Sequence, residues 1–173
     1  MIKYILVFFV IFSSCKKAEE LATFNINKSE KFTIPATVLP VGTALPLGLE
    51  SPPTNTSTEF KNNRSETKYA KDVKLTKLSF EITNPPTANF NFLKSVKIFI
   101  SSPSVAGEKL LAYNDDVPRG VSSFELTTSG DKLDEYIKAD SYSLRVETII
   151  RETVPQNTDV TSNMTFRVTA KIL

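Results

Sequence analysis

Apolar and polar residues alternate with a period of two through much of the chain, the pattern of strands with one face in a core and the other in water. Tyr142, Leu144, Val146, Thr148 and Ile150 fall on one side of such a strand, and Ser143, Arg145, Glu147 and Arg151 on the other. Met164, Phe166, Val168, Ala170 and Ile172 repeat the pattern, with Thr165, Arg167, Thr169 and Lys171 outward. Between them VPQNTDVTSN carries Pro155, Asn157 and Asp159, so the spacing predicts a turn joining the two strands as an antiparallel hairpin.

Further back, Val96, Ile98 and Ile100 define a strand, LLAY at Leu110 to Tyr113 a short one, and Phe124, Leu126 and Thr128 another. In VKLTKLSFEIT the apolar phase slips: Val73 and Leu75 are odd, while Leu78, Phe80 and Ile82 are even. One extra residue at Thr76-Lys77 accounts for the slip, which predicts a β-bulge. Asn84-Pro85-Pro86 then ends the strand, because proline cannot donate to a ladder. ATFNIN and KFTIPATVL read as two strands, the second placed at an edge by Pro35. Residues 50–68 read as a long exposed connection, followed by a helical turn from Glu66 to Asp72 with Ser65 as N-cap and Tyr69, Ala70 and Val73 inward. In SGDKLDEYIKAD, Leu133, Tyr136 and Ile137 share a helix face, with acids early and Lys138 late, so a short helix is expected to cross between sheets there.

About eight short strands at near-regular spacing predict an all-β fold, a two-sheet immunoglobulin-like sandwich with one or two short helical turns.

The N-terminus follows a different pattern. Lys3 precedes the apolar run Tyr4 to Phe12, which is too short for the roughly 20 residues of a spanning helix but fits the core of a secretory leader. Phe12-Ser13-Ser14-Cys15 resembles the lipobox of bacterial lipoproteins, with Phe12 departing from the aliphatic residue usual there. The resemblance implies a signal peptide over residues 1–14, a Cys15 that becomes an acylated N-terminus, a short tether over 15–21 and a single sandwich domain over 22–173. Two or more acyl chains anchor stably where one does not. The alternative is an ordinary secretory leader cut nearby, leaving an odd thiol. Lys16 is not the aspartate that retains enteric-type lipoproteins at the inner membrane, and Lys16-Lys17-Ala18-Glu19-Glu20 resembles a degraded export signal of Bacteroidota surface lipoproteins. VKLTKLSFEITNPP followed by FNFLKSVKIFIS also resembles uncharacterised Bacteroidota lipoproteins. A strand closed by Asn-Pro is similar, over that one strand, to the water-stress type of late-embryogenesis-abundant sandwich.

Composition narrows the chemistry. The formal net charge is +2, Lys3 included, which gives no reason to expect a nucleic-acid partner. There is no His, no Trp and one Cys, so Ser-His catalysis and the usual metal or redox sites are excluded; no cofactor and no enzyme activity are expected. Asp115 and Asp116 offer two carboxylates to a calcium ion that wants six to eight oxygens, so a plain acidic turn is favoured. Asp131, Asp134 and Glu135 read as helix-end acids rather than a catalytic pair. Arg145, Glu147, Arg151, Arg167 and Lys171 read as a solvated outward row, with docking of an anionic glycan or partner as the rival. Tyr69, Tyr113 and Tyr136 are candidates for a sugar-stacking platform, disfavoured by the lack of Trp.

The functional expectation is a lipid-anchored outer-membrane or cell-surface lipoprotein that acts as a non-catalytic binding or structural module. Its partners would be the membrane, through the N-terminal lipid, and an envelope protein added along an edge strand near Phe32 to Leu39. An apolar-ligand carrier and a fimbrial or adhesive subunit are the alternatives; no specific ligand-binding residue is expected.

Overall fold

The computed structural model describes residues 20–38, 40–42, 56–139 and 142–173. The leader, the lipobox and Cys15 lie outside the described residues, as does Leu39 at the end of the expected edge segment. The described strands are β1 (Leu21–Ile34), β2 (Ala70–Asn84), β3 (Leu93–Ser102), β4 (Val105–Asn114), β5 (Ser123–Glu125), β6 (Thr127–Thr128), β7 (Ser143–Ile150) and β8 (Thr158–Lys171). They form two four-stranded antiparallel sheets, β1-β8-β2-β5 and β6-β4-β3-β7. Helices α1 (Thr56–Asn62) and α2 (Asp134–Lys138) and two 3-10 turns complete the described elements. This is the all-β two-sheet sandwich that the alternation predicts.

The two inner faces meet in one core. Leu78 and Phe80 of β2 and Met164, Phe166 and Val168 of β8 are buried with Val96, Ile98 and Ile100 of β3 and Leu144, Val146 and Ile150 of β7. Each such side chain contributes roughly 1.5–3 kcal/mol by leaving water. Aromatic rings run through this core edge to face: Phe32 to Phe80 at 5.5 Å, Phe80 to Phe124 at 5.8 Å and Phe124 to Phe90 at 4.9 Å between centroids.

The bulge in β2 lies where the phase slip places it. Leu75 pairs with Phe166 and Lys77 with Thr165, so Thr76 is the extra residue. Its hydroxyl donates to the Thr165 carbonyl at 3.0 Å. As a result Val73, Leu75, Leu78, Phe80 and Ile82 are all buried in spite of their mixed parity. The strand ends at Asn84, before the two prolines.

Several local expectations are corrected. The strands around 142–151 and 164–172 do not form a hairpin: β7 pairs with β3, and β8 runs between β1 and β2 in the other sheet. Alternation fixes each strand's faces but not its neighbour, and β8 has apolar partners on both sides. ATFNIN and the start of KFTIPATVL form one 14-residue strand, β1, which ends before Pro35. Residues 50–68 are not wholly exposed, since α1 buries Phe60 completely and places it 5.4 Å from Phe24. The turn expected over Glu66–Asp72 is a 3-10 turn at Thr67–Tyr69 that gives way to β2 at Ala70. Ser65 does not cap it; the buried Ser65 hydroxyl donates to the Lys171 carbonyl at 2.7 Å. Finally, α2 links β6 and β7, which stand at opposite ends of the same sheet, so the connection joins two strands of one sheet rather than strands of two. It is tied to the other sheet at Val73, whose carbonyl accepts from the Leu133 N–H at 2.8 Å and whose N–H donates to Asp134 Oδ1 at 2.7 Å.

Candidate functional site

One side of the sandwich is closed by the chain itself. β5 pairs with β2 and β6 with β4, and only Leu126 separates them, so the polypeptide steps from one sheet to the other there. The opposite side is bounded by β1 and β7, each paired on one flank only among the described residues. The end of β7 is partly occupied, since the Gly42 N–H donates to the Ile150 carbonyl at 2.9 Å. β1 therefore offers the longer open flank.

The register of β1 is continuous against β8 from Leu21–Lys171 to Ile34–Thr158. At its start the Ile172 N–H donates to the Glu20 carbonyl at 3.0 Å, which makes the even-numbered residues the hydrogen-bonded pairs with β8. The N–H and C=O groups of Thr23, Asn25, Asn27, Ser29, Lys31 and Thr33 consequently face the open flank. Among the described residues nothing pairs with this row, and an unpaired row of this kind is a general template for strand addition.

From Thr23 to Thr33 the side chains on the outer face of β1 are polar, and four of them are tied across to β8. Thr23 meets Thr169 at 3.1 Å, Thr165 donates to Asn27 at 2.9 Å, Ser29 donates to Asn163 at 2.8 Å and Thr33 to Asp159 at 2.7 Å. These bonds hold the edge strand flat against its neighbour. The inner face carries Phe24, Ile26, Phe32 and Ile34, all buried or packed on the core. Between them, in the same phase, sit Lys28 and Glu30, both half-buried. Near Glu30 lies Tyr142, whose phenol is pushed above its ordinary pKa by burial first and by the Glu30 carboxylate second.

The residues singled out in the sequence are not brought together. Asp116 Oδ1 accepts from Arg151 Nη2 at 3.0 Å, and the same nitrogen donates to the Val117 carbonyl at 2.9 Å, so the acidic turn is held by a cation of the protein itself. Asp134 is engaged at the Val73 N–H, and no cluster of three or more His, Cys, Asp or Glu side chains suited to a metal occurs among the described residues. The charged row divides between two sheets, Arg145, Glu147 and Arg151 following one and Arg167 and Lys171 the other. Arg145 lies over the Phe99 ring at 4.4 Å and pairs with both Glu108 and Glu147. The hydrogen bond from Arg145 holds the Glu108 carboxyl below its usual pKa, and Glu108, then Glu147, raise that of the guanidinium. The tyrosines do not form a platform: Tyr136 is buried on the inner side of α2, Tyr69 is covered by Lys68 and Lys171, and Tyr113 lies opposite Lys97 in the second sheet. The small pocket where Lys28 meets Ile26, Val73, Tyr142 and Phe166 holds about 10 Å³, whereas a lipid tail needs several hundred.

Lys28 and Glu30 fall between the two strands expected at ATFNIN and KFTIPATVL, so only the continuous β1 places them on a strand face. The signal was present: both are charged residues on the even, apolar phase of ATFNINKSEKFTI.

No family model matches the chain, and no curated protein does. Among solved structures, the decameric BFDV capsid protein aligns with a TM-score of 0.41 at 9% identity, over 88% of this chain and 100% of that one. The 60-mer BFDV capsid protein gives 0.40 at 9% identity, over 89% and 95%. Turnip Yellow Mosaic Virus gives 0.29 at 13% identity, over 88% and 96%. Likeness at this level transfers no function. No described helix is long and apolar enough to cross a membrane.

Proposed function

We propose that this chain is a lipid-anchored lipoprotein of the cell envelope whose β-sandwich is a non-catalytic docking module, recruiting a protein partner by strand addition to β1. The observation that carries the docking half is the one-sided pairing of this 14-residue strand, with the backbone groups of its odd-numbered residues turned to the open flank. The anchoring half rests on Phe12-Ser13-Ser14-Cys15 behind a short apolar leader. Together they describe a module held at an outer-membrane surface through Cys15, with its recognition surface in the backbone of an edge strand.

Two variants test the halves separately. Cys15→Ala should move the protein from the membrane fraction to the soluble fraction; unchanged fractionation removes the anchor. Asn25→Pro takes away an N–H that faces the open flank, leaving the β8 ladder intact, and proline is tolerated at such edge positions. It should abolish photo-crosslinks to protein partners from a reactive residue placed at Asn27. Crosslinks of undiminished yield in a folded Asn25→Pro protein would remove the docking edge.

A further inference from the structure

The inner face of β1 reads Phe24, Ile26, Lys28, Glu30, Phe32, Ile34, and Ser29, which points outward, stands at the midpoint of that run. Read backwards, the order keeps its chemical character but exchanges the charges: apolar, apolar, acid, base, apolar, apolar. A strand of this kind is complementary to its own antiparallel copy.

We propose that the partner seated on β1 is a second copy of this chain, with the two β1 strands paired antiparallel about a two-fold axis at Ser29. The inference rests on reading β1 as a docking edge and names what fills it. In this register Lys28 stands opposite the partner's Glu30 and Glu30 opposite the partner's Lys28. Ile26 stands opposite the partner's Phe32 and Phe24 opposite the partner's Ile34; Ile26 and Ile34 are already buried in their own sandwich, so the apolar contact falls to the half-buried Phe24 and Phe32. Ser29 meets Ser29 of the partner subunit. A C2 interface requires such self-complementarity, because every contact occurs twice.

Backbone geometry selects the same register. The odd-numbered residues face the open flank, so they must supply the hydrogen-bonded pairs. A dyad at Ser29 pairs odd with odd: Asn25 with the partner's Thr33, Asn27 with the partner's Lys31, and Ser29 with its copy, for about ten hydrogen bonds at two per pair. The even-numbered residues then form the close, non-hydrogen-bonded pairs, in which opposite charges and apolar side chains interact best. Moving the dyad by one residue sets Lys28 against Lys28 of the partner subunit, or Glu30 against Glu30 of the partner subunit. Moving it by two sets Lys28 and Glu30 against Ile26 and Phe24, or against Ile34 and Phe32. The Ser29 register alone among these satisfies charge, apolarity and the ladder together. Neither Lys28 nor Glu30 has an ion-pair partner within the described residues, so the charges are available to the copy.

The test is a charge exchange in the detergent-solubilised full chain, followed by analytical ultracentrifugation over a concentration series. The wild type should dimerise. Lys28→Glu and Glu30→Lys, each facing its own kind, should weaken the dimer at least tenfold, and mixing the two variants should restore a heterodimer. The double variant K28E/E30K should dimerise like the wild type, which separates this contact from loss of folding. A nitroxide at Ser29 should report a spin pair within about 10 Å, and one at Lys31 a pair roughly 14 Å apart, four residues of strand rise. A wild type that stays monomeric at several hundred micromolar, or single variants that dimerise undiminished, would overturn the proposal. Should the chain prove monomeric while Asn25→Pro still loses its crosslinks, the copy is excluded and the docking edge stands. Loss of neither removes both.

Discussion

Arg151 Nη2 lies 3.0 Å from Asp116 Oδ1 and 2.9 Å from the Val117 carbonyl, so one largely buried guanidinium fastens the acidic turn to the end of β7. Its side chain is 13% exposed, whereas that of Asp116 is 87% exposed. The two partners should therefore respond unequally. Arg151→Ala leaves the Val117 carbonyl without its donor and should cost about 2 kcal/mol in chemical denaturation. Asp116→Asn should cost under about 0.5 kcal/mol, as exposed ion pairs do. Equal losses would mean that the ion pair, and not the carbonyl contact, holds the turn.

Phe80 touches Phe32 from the edge strand and Phe124 from the sheet-switching segment, and it is fully buried. Phe80→Ala should cost about 3–5 kcal/mol, since the rings around it belong to different strands and cannot all collapse into the space. Thermal unfolding checks this. A loss below about 1 kcal/mol would show that the aromatic chain is dispensable.

The bulge predicts two deletions of very different cost. Deleting Thr76 leaves Leu75 and Lys77 adjacent, opposite Phe166 and Thr165, which are themselves adjacent, so β2 becomes regular from Asp72 to Ile82 with Val73, Leu75, Leu78, Phe80 and Ile82 still inward. The expected cost is about 1 kcal/mol, the hydroxyl bond to Thr165. Deleting Ser79 allows no such repair: each register leaves either Leu78 outside with Lys77 inside, or Phe80 and Ile82 outside. That protein should fail to fold cooperatively by near-ultraviolet circular dichroism, and native-like spectra from it would refute the register.

Tyr142 sets the alkaline limit of part of the stability. Burial, with Glu30 second, raises its phenol in the folded protein above the ordinary value near 10. Below that value both states keep the proton and nothing is lost; above it the unfolded chain ionises first, so stability falls as pH rises toward the folded pKa. Tyr142→Phe should track the wild type in shape below pH 10 and fall less steeply above it. Parallel melting curves up to pH 11 would exclude the effect.

Strand phases, the bulge at Thr76, the stop at Asn84 and the short helix around Tyr136 were all legible in the sequence. Each depends on residues within a few positions of one another: a parity slip between Leu75 and Leu78, a proline after Asn84, an i, i+3, i+4 apolar set. The candidate edge was half legible. Pro35 marks the end of an edge strand, and the charges at Lys28 and Glu30 interrupt an apolar face in plain view. What they interrupt becomes clear only when β1 is known to lie on the open side of the sandwich.

The sequence by itself thus determined which face of each strand is buried and, through Phe12-Ser13-Ser14-Cys15, where a lipid attachment is expected. Only the tertiary structure decided who pairs with whom. β8 prefers β1 and β2 to the sequence-adjacent β7, Ser65 serves the Lys171 carbonyl 106 residues away instead of capping a turn, and Arg151 closes over Asp116 and Val117. The physical reason is common to all three. Burial of a face is set by local alternation, but a backbone ladder or a buried donor accepts any partner of the right geometry, and that partner is chosen by the packing of the whole sandwich.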